Sequence, residues 1–185
     1  MAGLAALVPM QVAELAAVSE LPRLVRVPIA VGLVMALGAV LLWRYEGLVE
    51  RAIDASTARP LAALGYGIAA HATLIFAGVY VTSQFAQLTI SGRSLGLVGL
   101  WIGGLILAAT AALGFTVVGT VLAQYRGEAP RWHGLVAGAA IAGFAAAFDP
   151  LLGGVIWVVA VSTGVGGPVR NWVWAAEDTQ AVRAE

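Results

Sequence analysis

Apolar residues run through this chain in long blocks separated by short polar punctuation. Five charge-poor stretches stand out, at residues 27–43, 60–92, 94–125, 134–148 and 150–169. A helix that crosses a bilayer needs roughly 18 or more apolar residues in a row, and several of the stretches exceed that. The pattern predicts an all-α integral membrane bundle of four to five short spans.

The first span covers residues 27–43, roughly 26 Å of helix, which is just long enough to cross. Arg23 and Arg26 precede it, and Trp43 and Tyr45 close it with rings suited to headgroup level. The second covers 61–81, with His71 near its middle. Gly67, His71 and Gly78 fall on or near one face there, so that face is expected to meet protein rather than lipid. The third lies within 95–123. At about 44 Å it is longer than one crossing requires, so a strong tilt or a break is expected, at Gly103-Gly104 or Gly114.

The last apolar region is interrupted by Asp149-Pro150. Proline disfavours helical geometry at the residue before it. The region is therefore either one kinked span or a hairpin of two short helices. Gly134, Gly138, Ala142 and Ala146 recur at every fourth position, a small-residue stripe suited to close helix packing.

The remaining segments are amphipathic or polar. In residues 1–26, Leu4, Leu7, Val8, Val12, Leu15 and Val18 approximate one helical face, which suggests an interfacial N-terminal helix that is retained. Residues 44–59 are the most charged segment, but Leu48, Val49, Ala52 and Ile53 form an apolar edge, again suggesting a short interfacial helix. Ser56 or Thr57 is expected to cap the following turn, with Pro60 first in the next helix. Residues 82–94 are polar and nearly uncharged, fitting a loop or a re-entrant segment. The transmembrane domain is bounded at 27–170, and 171–185 form a polar C-terminal tail.

Composition strengthens the membrane reading. Charged residues make up 11% of the chain and hydrophobic ones 61%, whereas about a quarter of a soluble protein is charged. Cysteine is absent, which excludes disulfides, Cys-ligated metal and a thiol nucleophile. All ten basic side chains are arginines, and their distribution bears on topology. If Asp149-Pro150 is a hairpin tip, seven arginines fall on one side and three on the other. The larger group is Arg44, Arg51, Arg59, Arg126, Arg131, Arg170 and Arg183. Basic loops stay cytoplasmic, so the hairpin is preferred, with 44–59, 124–133 and the C-terminus inside.

Ionisable residues at membrane depth are functional candidates by default. His71 and Asp149 qualify, and they admit two readings. One is a proton or ion relay. The other, which the local sequence favours, is a packed histidine and a helix cap, since Asp followed by Pro suits a helix start. Arg93, Arg44, Arg51, Arg59, Arg126 and Arg131 are candidates for lipid or partner contact. No HExxH, GxSxG, P-loop or dinucleotide fingerprint is present, so neither catalysis nor a cofactor or metal is expected. Trp43, Trp132, Trp172 and Trp174 sit at span ends, whereas Trp101 and Trp157 are expected as core fillers.

Three stretches carry a resemblance: ARPLAALGYGIAAH at 58–71, LTISGRSLGLVGLW at 88–101 and DPLLGGVIWVVAVSTGVGG at 149–167. Together they resemble a prokaryotic multi-span membrane domain of unknown function, found attached to or alongside bactofilin-type polymer-forming proteins. The likeness spans roughly 40–170. Arg93 and Asp149 depart from it, standing where that family is apolar, and the chain holds no β-helical repeat. The resemblance implies a membrane partner for a cytoskeletal polymer supplied by another chain, and it carries over no catalytic residues. The expectation is an anchor or scaffold subunit in the cell membrane, contacting lipid and either a protein partner or further copies of itself, but not nucleic acid. The alternative is a small transporter or channel subunit using His71 and Asp149.

Overall fold

The computed structural model describes residues 22–86, 90–125, 127 and 130–184. Within them the chain forms six helices and no strand: α1 Arg23–Arg44, α2 Glu46–Ala58, α3 Pro60–Ala86, α4 Ile90–Gln124, α5 Arg131–Ala147 and α6 Pro150–Ala184. Four of them, α1, α3, α4 and α6, are long and apolar enough to cross a membrane. In such sequences every backbone polar group must be satisfied internally, and a helix does this within one segment.

Proline sets the helix starts. Pro60 and Pro150 are the first residues of α3 and α6, where the missing N–H has no partner to lose. Pro22 and Pro130 hold the extended residue just before α1 and α5. At Gly127, between α4 and α5, φ is 127°, a conformation that favours glycine.

Close backbone approaches establish the topology. Gly119 of α4 faces Gly134 and Gly138 of α5, and Gly138 also lies against the Phe115 carbonyl. Gly38 of α1 is covered by Leu135 of α5, and Gly143 of α5 meets Val31 and Val27. Gly67 of α3 rests on the Ser162 backbone of α6, and Gly166 on Ala63. Gly114 of α4 meets Val161 and Gly164 of α6. In these registers α1, α4 and α6 run one way while α3 and α5 run the other. The chain thus reverses at Phe148-Asp149, and the hairpin alternative holds over a single kinked span.

One end of the bundle is closed by α2. Its apolar edge is buried at Val49, Ala52, Ile53, Ala55 and Ser56. The Ser56 hydroxyl donates to the Thr163 carbonyl of α6 at 2.9 Å. Arg131 at the start of α5 pairs with both Glu46 and Glu50. The core between the layers holds Val34, Phe115, Val117, Leu135 and Val161. Away from α2 the packing opens: described side chains at 72–81 on α3 and 101–106 on α4 are exposed.

Several expectations need correction. The polar stretch 82–94 is not a long loop: α3 continues to Ala86 and α4 begins at Ile90, because uncharged polar side chains do not stop a helix. Helix α4 is continuous over 35 residues, with no break at Gly103-Gly104 or Gly114. Gly114 serves close packing instead. Ser56 and Thr57 do not cap α3, since Thr57 bonds back to the Ile53 and Asp54 carbonyls within α2. Residues 171–184 continue α6 as helix past Pro168. Gly78 has no neighbour within 4 Å of an added Cβ, unlike Gly67, and Trp101 is 78% exposed rather than a core filler. The N-terminal amphipathic segment before Pro22 lies outside the described residues.

Candidate functional site

His71 sits on the seam between α3 and α6, buried to 7% exposure. One helical turn before it, Gly67 has no side chain, so α6 comes close at Ser162. The ring is held on both sides. Its Nδ1 lies 2.9 Å from the Gly67 carbonyl, an acceptor only, so Nδ1 carries a hydrogen and donates it. The edge of the ring meets Trp157 of α6, with centroids 5.7 Å apart and planes at 75°. Nε2 is buried and has no hydrogen-bond partner among the described residues, and neither has the Ser162 hydroxyl on the same seam.

Asp149 occupies the reversal between α5 and α6. Its Oδ1 accepts from the Leu151 and Leu152 N–H groups at 3.0 and 3.2 Å. This is an N-cap, which satisfies donors that the helix itself leaves orphaned. Asp149→Ala should therefore cost about 0.5–2 kcal/mol, while Asp149→Asn, which keeps the capping oxygen, should stay near the parent. Thermal unfolding in detergent reads the difference. If the Asn variant were as unstable as the Ala variant, the carboxylate charge would matter beyond the cap.

The two ionisable residues are not brought together. Trp157, which touches His71, lies eight residues along α6 from Asp149, about 12 Å of helix. A cavity occupies the space between. It has a volume of about 480 Å³ and is walled by α1, α4, α5 and α6. Phe115 and Trp157 line its inner part, and alanines or glycines on every wall create the room, among them Ala30, Ala108, Ala145 and Gly154. Its polar groups gather at one end, where Arg26 and Asp149 stand. The Arg26 guanidinium donates to the Phe148 carbonyl at 3.2 Å, joining the start of α1 to the end of α5.

The small-residue stripe on α5 divides in two. Gly134 and Gly138 form the backbone-close seam with α4. Ala142 and Ala146, farther along the same face, line the cavity.

The arginines singled out from the sequence distribute unevenly. Arg131 is engaged by Glu46 and Glu50. Arg51 donates to the Gly47 carbonyl at 2.9 Å, and the Arg44 guanidinium lies 5.7 Å from the Tyr45 ring centroid. Arg59 is exposed at the bend between α2 and α3. Arg93 belongs to the first turns of α4 with its side chain outside the described residues, and Arg126 lies outside them altogether. Among the described residues no group of His, Asp and Glu is arranged to hold a metal ion.

Sequence reasoning did not single out Arg26 or Trp157 as site residues. The signal for Arg26 was present: a hairpin at Asp149 puts residues 22–26 and 149 at the same end of the bundle. For Trp157 there was none, because a tryptophan inside a span reads as packing. No protein-family model, curated protein or solved structure matches the chain.

Proposed function

We propose that this protein is a multi-pass membrane anchor or scaffold subunit. The chain crosses the prokaryotic cell membrane five times, with α5 as the shortest crossing and the α2 end in the cytoplasm. The observation that carries this reading is α2. Its apolar edge is sunk into the bundle, and its polar face stays outside with Glu50, Arg51 and Asp54 exposed. Arg44, Arg59 and Arg131 surround it. A charged helix held in place at the water boundary makes a fixed docking platform, and basic loops are retained on the cytoplasmic side. The partner is a soluble assembly, such as a bactofilin-type polymer supplied by another chain.

The test is purification of the tagged protein from its native cell in mild detergent, with mass spectrometry of what stays bound. A stoichiometric soluble polymer-forming partner is expected, and it should be lost from the Arg51→Glu/Arg59→Glu variant. A protein that comes away alone, or only with copies of itself, overturns the reading.

The buried Nε2 of His71, without a hydrogen-bond partner among the described residues, favours a second reading, a transporter or channel subunit, since the ring meets Trp157 and Trp157 lines the cavity. His71→Gln and Asp149→Asn would then abolish flux in vesicles while the fold stays intact. A scaffold would show altered stability or assembly only.

A further inference from the structure

We infer that the cavity between α1, α4, α5 and α6 is a binding site for one acyl chain of a phospholipid whose headgroup carries both a phosphate and an amine. The inference is independent of the scaffold reading. Four observations lead to it.

The first is size. A volume of about 480 Å³ falls within the roughly 300–1,000 Å³ of sites that hold small molecules. The second is the lining. The inner wall is formed by Leu33, Val34, Phe115 and Trp157, with no charged group among them. Apolar cavities do not hold water stably. Leu33, 46% exposed, and Gly154 of the lining lie at the bundle surface, so the cavity opens on an apolar flank where a lipid tail is the most abundant apolar chain.

The third is polarity along the axis. Arg26 and Asp149 both sit where their helices begin, at the water end of the cavity. On α1 the lining runs from Arg26 to Val34, so the apolar part extends about 12 Å inward from the charged end. An amphiphile has the same layout. The fourth is charge complementarity. A guanidinium is a strong phosphate donor, and a carboxylate accepts from an ammonium. The cap at Asp149 uses only Oδ1. A headgroup with phosphate and amine together matches both charges at this end, whereas phosphate alone matches only the guanidinium.

Gly154 supplies the test. It lines the cavity, yet a Cβ built there meets nothing within 4 Å. Gly154→Phe therefore fills the cavity without disturbing a helix seam. Gly32→Phe is the control, equally open but outside the lining. The full-length protein is reconstituted into phosphatidylcholine nanodiscs doped with a phosphatidylethanolamine bearing a diazirine on its acyl chain. After photolysis, labelled peptides are mapped.

Labelling should concentrate on cavity-lining segments of α1, α5 and α6. It should fall roughly tenfold in Gly154→Phe, with unchanged thermal unfolding, and persist in Gly32→Phe. A phosphatidylglycerol probe with the same diazirine chain should label the cavity about tenfold less, the worth of one charge-assisted hydrogen bond. Labelling spread along the exposed faces of α3 and α4, without enrichment at the cavity, would overturn the proposal. So would labelling that survives Gly154→Phe, or equal labelling by the two headgroups.

Discussion

Replacing Gly67 with valine should prevent α3 from closing onto α6. A Cβ at this position would overlap the carbonyl, the carbonyl carbon and the Cα of Ser162. These are backbone atoms of a packed helix and cannot swing aside as a side-chain tip would. Ordinary overpacking costs about 1–3 kcal/mol, and here the expected loss exceeds about 4 kcal/mol because no rotamer relieves it. His71 should lose its place as well, since its acceptor is the Gly67 carbonyl and its aromatic neighbour, Trp157, is on the displaced helix. Gly65→Val is the matched control. It puts the same side chain two residues away in the same helix, where a Cβ meets nothing within 4 Å. Only propensity distinguishes it from the parent, and valine is no worse than glycine in a helix. Thermal unfolding followed by size-exclusion chromatography in detergent should show Gly65→Val near the parent and Gly67→Val aggregated or melting far lower. Equal behaviour of the two would mean that α3 and α6 do not meet backbone to backbone.

The second large effect is expected at Phe115. Its side chain is 1% exposed and stands where α1, α4 and α5 converge, against the inner wall of the cavity. Truncating a buried Phe in a water-soluble protein costs about 3–5 kcal/mol, part of which is transfer from water. In a bilayer the separated helices are also surrounded by apolar chains, so the transfer part drops out and the loss of packing remains. Phe115→Ala should accordingly cost about 2–3 kcal/mol, the packing share of the truncation cost. The new space is continuous with the cavity, so addition of phospholipid during unfolding should recover part of the loss in Phe115→Ala and little in the parent. Absence of that difference would show that lipid does not reach the Phe115 ring.

The helical membrane character was legible from the apolar runs, because helix is the simplest way to satisfy the backbone away from water. The hairpin at Asp149-Pro150 was legible too, through the arginine distribution and through a proline that disfavours helix at the residue before it. Gly134 and Gly138 were marked by their spacing. Gly38, Gly67, Gly114 and Gly166 were harder to assign, since glycine is common in such helices and spacing does not say which glycines meet a neighbour. Gly67 and Gly78 illustrate the limit: both were placed on one face, but the bundle covers only the first. Segment ends were misread where polarity without charge resembled a loop, as at residues 82–94, or where a polar tail continued a helix, as beyond Pro168. Trp157 and the cavity it helps to form depend on four helices converging, which no local pattern encodes.

The shortness of α5 has a consequence for where the protein can reside. Its 17 residues rise only about 26 Å, and Arg131 with Trp132 at one end and Asp149 just past the other mark the limits of its apolar surface. A typical hydrocarbon core is about 30 Å thick, so on the five-crossing reading proposed above, hydrophobic mismatch would be met along this flank by local thinning of the bilayer or by snorkelling of the terminal side chains. Helix α4, twice as long, reaches past α5 and is locked to it along the glycine seam, and the ion pairs at Arg131 hold the other side of α5. On that reading the protein would favour thin patches of membrane, and by deforming thicker ones it would draw together with other short-spanned proteins without touching them.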